Sequence, residues 1–164
     1  MRRFSIILLI ALVSCSPKGY WIDSDSYRAK KPNYKLQNKS FSQSKLVDTG
    51  SMYLDVDSLI TADGKVLKSA IGFDLDGRAF LNSYDTSSLA FQNANSNTIT
   101  TAQQVGYYRV DGFEIEFERL TPYDYGQYIL WTGRIKGDSI VFTYRNFLNK
   151  DRTYTFIKSS LPKE

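Results

Sequence analysis

Residues 113–118 read Phe-Glu-Ile-Glu-Phe-Glu, three apolar and three acidic residues in strict alternation. A helix would scatter the glutamates around its axis. Only a strand, whose side chains point alternately to its two faces, puts Glu114, Glu116 and Glu118 on one side and Phe113, Ile115 and Phe117 on the other. The preceding segment, residues 105–110, joins this one through Asp111-Gly112, a dipeptide suited to a type I′ hairpin because glycine accepts positive φ. The device recurs along the chain. Ile71, Phe73 and Leu75 alternate, Asp76-Gly77 turns and residues 78–84 return. Gly137-Asp138 divides residues 125–136 from 139–147, Asn149-Lys150-Asp151 precedes 153–158, and a strand over 47–57 turns back through Asp63-Gly64. This gives about eight strands in sequence order, with no amphipathic helix of useful length between them.

The composition agrees with strands: twelve Tyr, ten Phe and two Trp bring the aromatic content to 15%. The 164 residues suffice for one domain with a real core. Short strands joined by hairpins must hide their edges, and closing into a barrel removes edges altogether. The predicted fold is therefore all-β, an antiparallel up-and-down β-barrel of about eight strands spanning residues 45–164. A two-sheet sandwich matches the strand count but needs longer crossing connections. The one long connection, residues 85–97, reads as a sandwich crossover, a barrel lid or a disordered loop.

The only cysteine is Cys15. Arg2 and Arg3 precede the apolar run of residues 4–13, whose ten residues rise about 15 Å as a helix, half of a bilayer's hydrocarbon core, so the run reads as a signal segment and not a span. Leu12-Val13-Ser14-Cys15 resembles the lipobox of bacterial lipoproteins. That resemblance implies cleavage before Cys15, removal of residues 1–14, and acyl chains on the cysteine that anchor the protein to a membrane. Cleavage would take two of the 21 basic residues and none of the 17 acidic ones, leaving 19 against 17, or +2 in place of +4. No nucleic-acid partner follows from so small a charge.

Residues 16–44 carry Lys, Ser, Asn and two Pro without a period of two or 3.6, and are predicted to be a stalk. As coil, these 29 residues would average about 30 Å end to end and lift the domain off the lipid, with their lysines either resting on anionic head groups or simply solvated. Within them, Gly19-Tyr20-Trp21 matches the short Gly-x-Trp motif of true lipocalins, but polar sequence follows it; the alternative is a tether aromatic packed on the domain or at the membrane interface.

Further along, Gly106-Tyr107-Tyr108, the alternating segment 113–117 and Gly133-Arg134-Ile135-Lys136-Gly137-Asp138 resemble the C-terminal half of small lipocalin-like lipoproteins of Gram-negative bacteria. The resemblance implies a calycin-type barrel. Its motifs are largely hairpin geometry, so it implies little about activity.

Chemistry-bearing groups are sparse. There is no histidine, which removes the commonest general base and metal ligand. Glu114, Glu116 and Glu118 read as a solvated outer face. Asp74-x-Asp76-Gly77 resembles the start of a calcium loop, but Arg78 occupies a ligand position, so it reads as a turn, and no metal or other cofactor is expected. The chain is not expected to be an enzyme. The most suggestive stretch is Tyr-dense: Tyr123, Tyr125, Tyr128 and Trp131 are the candidate ligand- or partner-binding residues. Tyrosines at a barrel mouth suit a sugar, a small hydrophobic ligand or a protein partner. Alternation would send Tyr125, Ile129 and Trp131 one way and Tyr128 and Leu130 the other, so part of the set must be core. The expected function is a non-catalytic lipocalin-like barrel, held by lipid on Cys15 at the outer membrane on its periplasmic side, that binds a small ligand or protein partner. The rival is a structural or assembly subunit with a filled barrel.

Overall fold

The computed structural model describes residues 19–22, 26–88, 99–100, 102–121, 127–145 and 149–159. Eleven strands are found among them: β1 (Gly19–Trp21), β2 (Tyr27–Ala29), β3 (Met52–Asp55), β4 (Leu59–Ile60), β5 (Val66–Phe73), β6 (Arg78–Asp85), β7 (Gln104–Asp111), β8 (Glu114–Leu120), β9 (Tyr128–Lys136), β10 (Ser139–Arg145) and β11 (Asp151–Lys158). Eight form a closed ring, β3-β5-β6-β7-β8-β9-β10-β11, every neighbour antiparallel and β11 pairing back to β3 through Phe156 opposite Asp55. The expected up-and-down barrel is thus borne out, and it is compatible with a calycin-like fold. β4 lies off the ring against the start of β5, and the β1–β2 ribbon joins β7 through one parallel pair, Tyr27 opposite Gln104.

The ring closes where local chemistry dictates. Gly112 turns β7 into β8 at φ +55°, in the left-handed region its lack of a Cβ permits. Gly106 serves a different need: a Cβ there would lie 2.0 Å from the Glu118 carbonyl oxygen, so only glycine lets β7 approach β8. Inward positions at period two build one continuous interior from Tyr53, Ile71, Phe73, Leu81, Tyr108, Ile115, Phe117, Trp131, Ile135, Ile140, Phe142 and Phe156. Phe117, Phe142 and Phe156 are fully buried. Burying each such ring contributes about 1.5–3 kcal/mol.

The two barrel ends differ. At one, the turns at 74–77, 112–113 and 137–138 are short, and Phe41 and Val47 join the interior beside Tyr53, Phe73 and Tyr108. At the other end lie the longer connections 56–65, 86–103, 121–127 and 146–150.

Three expectations need correction. The free stalk over 16–44 gives way, from Gly19 onward, to a strap on the outside of the barrel. Tyr27, Tyr34 and Leu36 are buried there, Tyr34 and Tyr27 clustering with Leu120, Tyr107 and Tyr128. Glu118 does not share the solvated face of Glu114 and Glu116: it is 3% exposed, because the strap covers it and the Leu36 amide donates to its carboxylate at 2.8 Å. Phe113 is exposed because the two-residue turn is Gly112-Phe113, one position later than the expected Asp111-Gly112; Asp111 ends β7 and pairs with Glu114. Gly19-Tyr20-Trp21 forms β1, outside the ring, so the first barrel strand is β3. The long connection after β6 leads into the adjacent antiparallel β7, which excludes a sandwich crossover; its Ile99 and Ala102 cover a second apolar cluster on the outer face, with Met52, Ala70, Phe80 and Tyr84.

Candidate functional site at the open end of the barrel

Alternation decides where each candidate residue of β9 points. Trp131 and Ile129 face the interior, while Tyr128 faces out into the strap cluster. The Tyr128 hydroxyl donates to the Lys31 carbonyl at 3.3 Å and accepts from the Asn33 amide at 3.0 Å, and its ring meets Tyr34 edge-on at 4.8 Å. Burial, with Tyr128 beside it, pushes the Tyr34 hydroxyl well above the usual tyrosine range. Tyr128 is thereby occupied in holding the strap. Tyr123, Tyr125 and Cys15 lie outside the described residues.

Trp131 sits at mid-barrel, 2% exposed. Its ring is nearly parallel to Tyr154 at 5.0 Å and to Tyr144 at 5.6 Å, so three neighbouring strands each add one ring to an aromatic shelf. The Arg119 guanidinium covers the indole at 4.9 Å and bonds the Gln104 side chain. Its charge is held in place above an otherwise apolar floor.

Above this shelf, at the end with the longer connections, a cleft of about 470 Å³ opens. Its wall is a run of consecutive ring strands: Ser83 from β6, Leu67 and Ser69 from β5, Asp55 from β3, and Arg152 and Tyr154 from β11, with Asp57, Ser58 and Leu59 at the rim. Ser83 lies opposite Ser69 on the inward side, yet Ser83 is exposed; an inward residue exposed to solvent marks an open interior. Among the described residues the barrel is therefore filled in its closed half and open at its mouth.

The charges of the cleft are distributed asymmetrically. Asp55 is 4% exposed, and burial pushes its carboxyl above the ordinary carboxylate range, partly offset by the Asp57 amide donating to it at 3.3 Å. Arg152 is exposed at the rim and forms no ion pair among the described residues. Burial raises the Tyr154 hydroxyl, and neighbouring Tyr144 adds to the shift. The site thus offers a carboxylate pair, a guanidinium, four small hydroxyls (Ser58, Ser69, Ser83 and Thr153) and one aromatic ring. Asp74 and Asp76, the calcium-like pair, lie elsewhere and both meet the Arg78 side chain in their own turn.

Sequence reasoning separated Trp131 from Tyr128 by alternation without assigning the inward face, and it did not find the cleft; Trp131, a candidate binding residue, lies in the core beneath it. Ser69, Ser83, Arg152 and Tyr154 carried no distinguishing signal, being ordinary alternating residues on three different strands. Comparison of the chain with protein-family models, with curated proteins and with solved structures returns no match.

Proposed function

We propose that this is a lipid-anchored protein of the bacterial cell envelope whose lipocalin-like barrel holds a small polyhydroxylated ligand, of the saccharide class, in its mouth without transforming it. One observation carries the reading: the open end of an otherwise filled barrel is a cleft with eight polar lining residues out of ten. Its volume is in the range of small-molecule sites. An acyl chain would offer no hydrogen bond to Asp55, Asp57 or Arg152. A sugar can stack one face on Tyr154 and exchange hydrogen bonds with carboxylates, hydroxyls and a guanidinium at once. The anchor rests on the lipobox-like residues before Cys15, and the outer membrane on its periplasmic side is the proposed location.

The test is calorimetric titration of the purified protein with a panel of mono- and disaccharides beside short-chain fatty acids. Saccharide binding that is lost in Tyr154→Ala and weakened in Arg152→Ala supports the reading. Fatty-acid binding insensitive to both changes would replace it.

The filled half of the barrel favours a second reading, an assembly subunit. Leu75 and Phe113, both exposed at hairpin tips of the closed end, would then be its contact residues. Absence of any cleft ligand, with loss of a co-purifying envelope protein in a Leu75→Ser, Phe113→Ser variant, would favour it.

A further inference from the structure

The strap also carries an unusual surface. Tyr20, Trp21 and Ile22 are consecutive and all more than half exposed, at 51%, 52% and 58%. Lone exposed apolar residues are normal, but here consecutive ones leave both faces of a narrow ribbon apolar, Tyr20 beside Arg28 on one face and Trp21 edge-on to Tyr27 on the other. Trp and Tyr are the residues that settle at a membrane–water interface, where a flat apolar ring and a polar edge are both accommodated.

Charge points the same way. Residues 19–45 contain six basic residues and two acidic ones, Asp23 and Asp25, an excess of four positive charges. Two of the six are committed: Lys39 pairs with Glu116 at 2.8 Å, and Arg28 binds the Ala102 and Gln103 carbonyls at 2.8 and 3.3 Å, fastening the ribbon to the barrel. Lys30, Lys31 and Lys35 are exposed and form no ion pair among the described residues. Tyr27 meets the first residue of β7 and Lys31 is bound by the first residue of β9, so ribbon and free lysines flank the mouth end and not the closed end.

Covalent length adds the third constraint. A 29-residue coil could hold the domain about 30 Å from the lipid. β1 begins at Gly19, four residue steps from Cys15, a separation of at most about 14 Å even for a fully extended chain.

We infer that the β1–β2 ribbon is a membrane-contacting face: Tyr20, Trp21 and Ile22 enter the head-group layer, Lys30, Lys31 and Lys35 meet anionic lipid phosphates, and the mouth is held beside the bilayer. The covalent-length step rests on acylation of Cys15; the exposed patch and the free lysines do not. A mouth so placed receives its ligand at the lipid surface and not from the far side of the domain.

The experiment uses the full chain purified from a bacterial envelope. It is reconstituted in vesicles of phosphatidylethanolamine and phosphatidylglycerol that carry acyl-brominated lipid, after the mass of the cysteine peptide has been read. The chain has two tryptophans, and Trp131 is sealed in the barrel, so the difference between the native chain and Trp21→Phe isolates Trp21. Trp21 emission is expected to shift to the blue and fall at least about twofold, as for a group about 5–10 Å below the head groups. Lys30→Glu with Lys31→Glu should relieve much of that quenching. Trp21 unquenched in protein that is acylated and floats with the vesicles overturns the membrane face while the anchor stands, and leaves the patch to a protein partner. Trp21 quenched in unacylated protein sustains the face and overturns the anchor. Unacylated protein with unquenched Trp21 overturns both.

Discussion

The Glu118 carboxylate accepts a 2.8 Å hydrogen bond from the Leu36 backbone amide, between two residues that are 3% and 1% exposed. This contact joins the strap to the barrel wall across 82 positions of sequence. It also explains why the third glutamate of an alternating acidic face is tolerated in burial: a charged acceptor on a backbone N–H is among the stronger hydrogen bonds.

Glu118→Ala leaves the Leu36 amide buried without its acceptor, and is expected to cost about 1–3 kcal/mol in urea unfolding. Glu118→Gln keeps an acceptor and should cost less. Equal midpoints for Glu118→Ala and the native protein would mean that the strap contributes nothing to stability.

Gly106→Ala tests the closest approach of the ring. The added methyl would meet the Glu118 backbone oxygen, which cannot swing aside as a long side chain can. A loss of about 3 kcal/mol or more is expected by thermal or urea denaturation, at the upper end for an overpacked site.

Acid sensitivity should localise to the closed end. The hydrogen bond from Lys158, together with the Gly50 amide, holds the Asp48 carboxyl down at about 2. A depressed carboxylate stabilises the fold fully above its unfolded pKa of about 3.9, and that contribution is lost as pH falls toward 2. The pair is more than a third exposed, so solvent screening keeps its contribution small. Asp48→Asn should therefore lower stability at pH 6 and converge with the native protein between pH 4 and about 2.

Asp55 behaves in the opposite sense. Its carboxyl is raised by burial, so ionising it penalises the folded state as pH climbs from the unfolded pKa through the folded one. Asp55→Asn is expected to stabilise the barrel at neutral pH and to show no gain below pH 4, while weakening the ligand of the mouth. Denaturation at pH 7 and pH 3.5, with titration of the same variant, reads both effects.

The ring itself was legible in the sequence because its signals are local. Alternation at 114–118 and the glycine at 112 each operate within a few residues, although the turn falls one residue later than Asp111-Gly112, and a meander needs no long-range information to set its strand order. Strand ends were less legible: Leu75, which continues the alternation of Ile71 and Phe73, lies exposed in the turn. The strap could not be read, because Tyr27, Tyr34 and Leu36 are isolated apolar residues among lysines, and each is buried by barrel strands far along the chain. The mouth was hidden for a related reason. Whether an inward residue such as Ser83 or Trp131 meets cavity or core depends on what the other strands place opposite it.

Native mass spectrometry on protein taken directly from the envelope tests the account most directly, first under non-denaturing and then under denaturing conditions. The account predicts an acyl mass on the Cys15 peptide that survives denaturation. It also predicts a second, saccharide-sized mass that is released by denaturation and is absent from Tyr154→Ala. A native protein without the second mass that also fails to take up any saccharide of the panel would contradict the central claim that the mouth is a binding site.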